Sequence, residues 1–103
     1  PHRFELLSQE DRKLRLSLSK VGREIVRIFL RGLRDNTVLE DLWLDGESLG
    51  IDLSLALAGA LRTNKSLRVL RIRNSSISGA GSAAIFDALK ENTTLEELYL
   101  ERN

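Results

Sequence analysis

The sequence contains no cysteine, no methionine and only one histidine, His2, among its 103 residues. The lack of cysteine excludes a disulfide framework, a thiolate nucleophile and a thiolate metal site. His2 stands next to the first residue, a position where chains are usually disordered, so we assign it no function. A metal would have only carboxylates to bind it, and we therefore predict no cofactor.

Long apolar runs are also missing. No stretch approaches the roughly 20 apolar residues of a membrane span, and no signal-peptide pattern is present. The net charge of +1, from 16 basic and 15 acidic residues, gives no overall attraction to nucleic acid or anionic lipid. With 42% apolar and 30% charged residues, the composition is that of an ordinary folded domain, and we expect a cytoplasmic protein without nucleic-acid or membrane partners.

Catalytic groups are scarce. Nucleophilic catalysis needs a base held beside a nucleophile, and a histidine next to the first residue cannot supply it from a strand. Asp41, Asp45 and Glu47 could form a carboxylate site, but the flanking arginines favour ion pairing instead. The GAG segment at 79–81 opens a helix and lacks the lysine that follows in a phosphate-binding loop. We therefore predict that this chain is not an enzyme.

What the sequence does contain is a repeat. Asn36, Asn64 and Asn92 recur at intervals of 28 residues, and leucine or isoleucine recurs between them at matching positions. The spacing predicts three repeats at 9–36, 37–64 and 65–92, and the strand of a fourth within 93–103. Residues 1–8 are interpreted as the end of a preceding helix or an N-terminal cap, with Phe4 and Leu7 as its apolar face.

Within each repeat the apolar period changes from that of a strand to that of a helix. Alternation at two residues predicts strands in LRLSL (14–18), LWL (42–44), LRI (70–72) and LYL (98–100). Helical spacing predicts one buried stripe on each following helix. The three stripes are Ile25, Ile28, Phe29, Gly32 and Leu33; Leu53, Ala56, Leu57, Ala60 and Leu61; and Gly81, Ala84, Ile85, Ala88 and Leu89. The repeated asparagines are expected to end the helices in the left-handed conformation.

The LxxLxL copies at Leu39–Leu44, Leu67–Ile72 and Leu95–Leu100, together with ISGAGSAAIFDALKEN (77–92), resemble leucine-rich repeats of the ribonuclease-inhibitor-like class. That class also occurs in NOD-like receptors, Ran GTPase-activating proteins and tropomodulin. The resemblance covers about residues 12–103. It implies an α/β fold, a right-handed solenoid with a parallel β-sheet on the concave face and helices on the convex face. It also implies an intracellular protein-interaction module or, by analogy, a regulator of a small GTPase or of actin.

The sequence departs from the family pattern after each strand. The family has Asn or Cys three residues after the last strand leucine, whereas this chain has Ser19, Glu47, Ser75 and Asn103. A serine can make a shorter version of the expected bond to the turn backbone, and Glu47 is expected to point outward. The turn of the second repeat is therefore predicted to be the least regular.

Strand residues that face away from the helices alternate in charge from one repeat to the next. Their central row, Arg15, Trp43, Arg71 and Tyr99, places cations beside aromatic rings. Because Trp, Tyr and Arg dominate protein interfaces, we predict a protein-binding surface. Its residues are Arg15, Asp41, Trp43, Asp45, Arg71, Arg73, Glu97, Tyr99 and Glu101. The alternative interpretation is that these side chains satisfy one another and hold the strand register.

A second cluster, Arg23, Arg27, Arg31 and Arg34, lies on the first predicted helix at near-helical spacing. A solvated helix face is one interpretation. The other is a surface that contacts phosphate groups of nucleic acid or anionic lipid, for which binding should fall steeply with salt.

The last strand, LEELYL, leaves Leu98 and Leu100 in need of a covering helix. Solenoids normally close such an end with a polar cap. We therefore expect the chain to be a fragment of a larger protein, or to associate end to end through its C-terminal repeat.

Overall fold

The computed structural model describes residues 12–46, 48–73, 75 and 77–101, in which four strands alternate with helices. The strands are β1 (Lys13–Ser17), β2 (Asp41–Asp45), β3 (Val69–Arg73) and β4 (Glu97–Glu101). The helices are α1 (Leu18–Val21), α2 (Arg23–Leu33), α3 (Gly50–Thr63) and α4 (Gly79–Leu89). The predicted order of strand and helix is confirmed, and α1 is a single turn that the sequence did not predict. The helix proposed for residues 1–8 lies outside the described residues.

The four strands form one parallel sheet in the order β1-β2-β3-β4. Each strand residue pairs with the residue 28 positions later, so that Leu14 lies beside Leu42, Leu42 beside Leu70, and Leu70 beside Leu98. Parallel neighbours need a crossover connection, and the helices α2, α3 and α4 supply it. The predicted α/β solenoid is therefore confirmed, with equivalent residues aligned in rows across the sheet.

The core lies between the sheet and the helices. Alternate strand leucines point into it, because side chains along a strand alternate between the two faces. Burying each Leu or Ile completely contributes about 1.5–3 kcal/mol. The fully buried large side chains are Leu18, Leu30, Leu33, Leu42, Leu44, Leu49, Leu53, Leu57, Leu61, Leu67, Leu70 and Ile72.

The stripe predicted for α2 is wrong at three positions. Ile25 is 44% exposed and Ile28 is 55% exposed, and Gly32 is exposed as well. Val26 and Leu30 are fully buried in their place. A helix in a stacked array packs against both the sheet and the next helix, so its buried arc is wider than one stripe and turns toward that neighbour. The stripes of α3 and α4 are confirmed, with each predicted residue buried or packed against the core.

The repeated asparagines connect neighbouring repeats. Asn64 is 1% exposed, and its side-chain Oδ1 accepts hydrogen bonds from the backbone N–H groups of Ser66 at 2.9 Å and Leu67 at 2.7 Å. Its Nδ2 donates to the carbonyl oxygens of Leu33 at 2.7 Å and Asn36 at 3.2 Å, in the preceding repeat.

The left-handed conformation predicted for these asparagines is wrong. Asn64 is extended, with φ −66° and ψ 134°, and among the described non-glycine residues only Arg12 has a positive φ. The side-chain bonds explain the difference, because they hold the chain in the turn that starts the next strand without a strained backbone.

Helices α3 and α4 approach closely where Gly81 meets Ser54. A Cβ at Gly81 would lie 2.7 Å from Oγ and 3.0 Å from Cβ of Ser54. Ser54 is fully buried. The absence of a side chain at Gly81 therefore allows the close contact between these helices.

The connection from β2 to α3 uses two glycines with positive φ, Gly46 directly after the strand at 108° and Gly50 at the first residue of the helix at 73°. It is attached to the next repeat, since the N–H of Leu49 donates to the carbonyl of Ser75 at 2.7 Å. Ser75 is fully buried and its Oγ donates to the carbonyl of Arg73 at 3.0 Å, which is the shorter turn bond predicted for serine. The orientation predicted for Glu47 lies outside the described residues, as does Asn103.

Candidate protein-binding surface

The central row of the concave face is a stack of alternating cations and rings. The guanidinium of Arg71 lies between the two aromatic rings, 4.6 Å from the centroid of Trp43 and 4.8 Å from that of Tyr99. The guanidinium of Arg15 lies 5.0 Å from the centroid of the same Trp43 ring. Strand register produces this arrangement, because Arg15, Trp43 and Arg71 are paired residues of β1, β2 and β3. The predicted cation–π row is confirmed.

Ion pairs flank the stack. Nη2 of Arg15 donates to Oδ2 of Asp45 at 2.8 Å. Nε of Arg71 lies 3.5 Å from Oδ1 of Asp41, which is only 8% exposed as a residue. A carboxylate as buried as that of Asp41 needs a cation nearby. Arg71 therefore contacts Asp41 as well as the two aromatic rings.

The far end of the surface is acidic. The hydroxyl of Tyr99 donates to Oε1 of Glu97 at 2.5 Å. This hydrogen bond to the Glu97 carboxylate raises the pKa of Tyr99 above its usual value of 10.0, because the neutral phenol is the donor. Nε of Arg73 lies 3.2 Å from Oε1 of Glu101. The Tyr99 ring is thus held at its hydroxyl end as well as at its face.

The structure brings all nine residues predicted for the surface onto one face of the sheet. They lie on four adjacent strands in the predicted rows. Their contacts agree with the interpretation that they satisfy one another. A role in binding a partner is compatible with the same contacts and stays a prediction.

One charged row was missed by the sequence analysis. Nη1 of Arg12 donates to Oε2 of Glu40 at 3.1 Å, and Nη1 of Arg68 donates to Oε2 of Glu96 at 2.7 Å. These four residues precede the strands and follow the same 28-residue spacing. Extending the strand alignment by one position would have found them.

The first-helix arginines are mostly engaged within the protein. Arg23 donates to the carbonyls of Ser48 at 2.6 Å and Leu49 at 2.8 Å, and to Oδ1 of Asp52 at 2.6 Å. Arg27 donates to Oδ2 of Asp52 at 2.7 Å. These contacts join α2 to α3.

The remaining two arginines of the cluster differ from each other. Both are exposed, but the guanidinium of Arg34 lies against Gly59 on α3. The cluster therefore presents less free positive charge than its composition suggests.

Metal and membrane features can be assessed only over the described ranges. There, no group of three or more His, Asp or Glu side chains is arranged to bind a metal ion. In the same ranges, no helix has both the length and the apolar character needed to cross a bilayer.

Comparison with known proteins found relatives among leucine-rich-repeat proteins. The chain is 32% identical to chicken (Gallus gallus) leiomodin-2 over 82 residues, which are 80% of this chain and 15% of leiomodin-2. It is 32% identical to mouse (Mus musculus) ribonuclease inhibitor over 90 residues, which are 85% of this chain and 20% of the inhibitor. The chain thus spans about a fifth or less of these relatives.

A solved structure described as leiomodin-1 actin-binding site 2 superposes with a TM-score of 0.79 at 30% sequence identity. The superposition covers 89% of this chain and 54% of that one. No protein-family model matches the chain.

Proposed function

Because this chain is a leucine-rich-repeat segment of the ribonuclease-inhibitor-like class, we propose that it is a non-catalytic module that binds actin through its concave face. Trp43 and Tyr99 are the anchors, and Arg71 holds both rings in place. Such a module acts inside the cell. The observation that carries the proposal is the cation–π stack, whose rings are partly exposed and already ordered.

Side chains that are already ordered in the free protein favour binding of a partner. A large side chain that is fixed only on association costs about 0.5–1.5 kcal/mol in lost rotamer freedom. Here Arg71 lies between the rings of Trp43 and Tyr99, and Glu97 accepts the Tyr99 hydroxyl. Tyr99 is nevertheless 38% exposed. The surface can therefore offer aromatic area to a partner without a large ordering cost.

The charges of the surface are largely paired within the protein. Asp45 has Arg15, Asp41 has Arg71, and Glu101 has Arg73. A partner that covers the surface does not have to neutralise an excess of positive or of negative charge. Binding through the aromatic anchors should therefore depend only modestly on salt, whereas binding of phosphate groups would fall steeply with salt.

Actin is proposed as the partner because of the similarity to the leiomodin-1 structure described as an actin-binding site. The superposition covers 89% of this chain. Among the described residues, no contact favours the small-GTPase alternative. Pairing of Arg23 and Arg27 with Asp52 also argues against a phosphate-contacting first helix.

Binding to monomeric actin tests the proposal. Trp43 is the one tryptophan of the chain, but actin contributes its own fluorescence, so microscale thermophoresis or calorimetry is the suitable readout. We expect Trp43→Ala and Tyr99→Ala each to weaken binding about tenfold or more, as at interface hot spots.

Leu55→Ala is the matched control, because Leu55 is a 54% exposed apolar side chain on α3, away from the concave face. It should bind actin as the unaltered chain does. Failure of the unaltered chain to bind actin would reject actin as the partner. If the chain bound and neither aromatic substitution had an effect, the concave face would be the wrong surface.

A further inference from the structure

The convex face of α3 carries two exposed aliphatic side chains. Ile51 is 46% exposed and Leu55 is 54% exposed. They stand four residues apart and therefore lie on the same face of the helix. Helix α3 contacts α2 on one side and α4 on the other. Because both neighbouring helices are described, the exposure of Ile51 and Leu55 does not depend on repeats outside the described residues. These two residues are called the α3 ridge below.

The neighbouring helix α4 has small residues at the equivalent positions. Gly79 and Ala83 follow Ile51 and Leu55 by 28 residues, and both are exposed. Nothing lies within 4 Å of the position of a Cβ at Gly79. Ile51 and Leu55 are exposed although α4 follows α3, so the same positions of α4 are expected to stay exposed beside a further repeat. Gly79 and Ala83 are called the α4 patch below.

Opposite charges lie at the same end of these two helices. Arg62, in the last turn of α3, contacts the carboxylates of Asp87 and Glu91 at the end of α4 and just beyond it. The side chains of Asp87 and Glu91 are 60% and 62% exposed, so both remain accessible to a further cation. Lys90 contacts Asp87 and offsets one of the two negative charges. This end of the convex surface is therefore basic on α3 and acidic on α4.

We propose that this convex surface is an interface between two copies of the chain, related by a twofold axis that runs parallel to the helices. The rotation places α3 of each copy over α4 of the other. The α3 ridge then packs on the α4 patch of the second copy, with Leu55 over Ala83 and Ile51 over Gly79. Each contact occurs twice, as a twofold interface requires. The proposal does not rest on actin binding, because it uses the face opposite to the concave sheet.

The charges favour this orientation of the two copies. With the axis parallel to the helices, Arg62 of one copy lies near Asp87 and Glu91 of the other, and the basic end of α3 meets the acidic end of α4 twice. An axis that crosses the helices would place α3 over α3 and α4 over α4. Large side chains would then face large ones, and Arg62 would face no carboxylate of α4. Complementary charges fix the register of an interface in this way.

Burial of the α3 ridge stabilises the association. Apolar area that is removed from water stabilises a contact in proportion to its size. The pair covers the ridge of each copy, and the small residues of the α4 patch let the helices of the two copies approach closely. Few side chains take part, so the contact belongs to the small and weak class of protein interfaces. We therefore expect association at high protein concentration.

Sedimentation equilibrium of the 103-residue chain, from low concentration to about 1 mM, tests the proposal. The weight-average mass should rise from the 11.6 kDa of one chain toward about twice that value and not beyond it, because a twofold contact closes on itself. A mass that continues to rise past that of a pair would contradict the twofold arrangement.

Two substitutions change the size of the facing residues. Leu55→Ala removes the larger contact of the ridge, and Ala83→Leu places a bulky side chain where Leu55 of the second copy packs. Each should weaken association about tenfold or more, while circular dichroism shows an unchanged fold, since both positions are exposed. Ile28→Ala is the control, because it shortens a 55% exposed aliphatic side chain on α2, and it should associate as the unaltered chain does.

Mixing the two variants supplies the decisive measurement. In a mixed pair, the introduced alanine of one variant faces the introduced leucine of the other, and the unaltered Leu55 faces the unaltered Ala83. Each large residue again meets a small one, so association should return in the equimolar mixture although each variant alone associates weakly. A chain that stays at 11.6 kDa, variants that associate normally, or a mixture that does not recover would each overturn the proposal.

Discussion

The side-chain nitrogen of Asn64 lies 2.7 Å from the carbonyl oxygen of Leu33, which is 31 residues earlier in the chain. The same relationship recurs one repeat later, where Nδ2 of Asn92 lies 2.8 Å from the carbonyl of Leu61. Each asparagine therefore serves its own turn through its oxygen and the previous helix through its nitrogen. One asparagine side chain thus satisfies the backbone N–H groups of its own turn and a backbone carbonyl of the preceding repeat.

Asn64→Ala should lower the free energy of unfolding by about 3 kcal/mol, because it leaves several buried backbone groups without partners at about 1 kcal/mol or more each. Asn64→Gly should be no better, since the backbone at Asn64 is extended and gains nothing from glycine. Urea denaturation followed by circular dichroism measures both. The control is Asn92→Ala, which should cost less because Asn92 is only partly buried. Full stability of Asn64→Gly would show that the side-chain bonds are unimportant.

Gly81→Ala should destabilise the protein by about 1–3 kcal/mol, because the new methyl group must displace Ser54 at the α3–α4 contact. Gly32→Ala is its matched control. Nothing lies within 4 Å of the position of a Cβ at Gly32, so alanine should stabilise α2 by about 0.5–1 kcal/mol through its higher helix propensity. Thermal unfolding of the two variants should give changes of opposite sign. A stabilised Gly81→Ala would contradict the tight packing.

The Arg27 guanidinium, which donates to the Asp52 carboxylate, lowers the pKa of Asp52 below its usual value of 3.8. A lowered pKa in the folded state means that the ion pair stabilises the fold above about pH 3.8 and that this stabilisation is lost as the pH falls through the folded-state pKa. Asp52→Asn should therefore be less stable than the unaltered chain at pH 7 and nearly equal to it below the pKa of Asp52. Melting temperatures across this pH range test the effect, and Arg31→Gln is a control with no expected pH-dependent change.

Tyr99 is the one tyrosine of the chain, so its titration can be followed directly by absorbance near 295 nm. The Glu97 carboxylate raises its pKa above 10.0. Glu97→Gln should bring the midpoint down toward 10, because an amide is a weaker acceptor for the phenol. The contribution of this bond to stability is present below pH 10 and is lost as the pH rises through the raised pKa. Equal midpoints in the two proteins would show that the hydrogen bond does not persist in solution.

The repeat spacing was sufficient to predict the strand rows. Once Asn36, Asn64 and Asn92 are aligned, Arg71 must fall between Trp43 and Tyr99, and the sheet register confirms it. The register makes these residues neighbours, and the guanidinium of Arg71 lies 4.6 and 4.8 Å from the two ring centroids. Row positions could be predicted because the sheet is regular and every repeat has the same length.

Features that depend on two neighbouring helices could not be predicted in the same way. The period of α2 assigns Ile25 and Ile28 to the core, but it contains no information on which side the next helix lies. Val26 and Leu30 are fully buried instead, on a helix that contacts α3. Likewise, the preference of asparagine for left-handed turns concerns an isolated residue, whereas Asn64 is positioned by a carbonyl in another repeat.

The alternation of charge restricts how an array of this kind can change its length. Deleting the single repeat 37–64 would place β1 beside β3, so that Arg12 would meet Arg68 and Arg15 would meet Arg71. Like charges directly opposite each other destabilise a sheet, and the aromatic ring that separates the two arginines would be lost with the deleted repeat. Duplication of one repeat creates the same conflict, whereas gain or loss of two consecutive repeats preserves the order of the charges. A pair of repeats is therefore the unit whose gain or loss keeps unlike charges next to each other across the sheet.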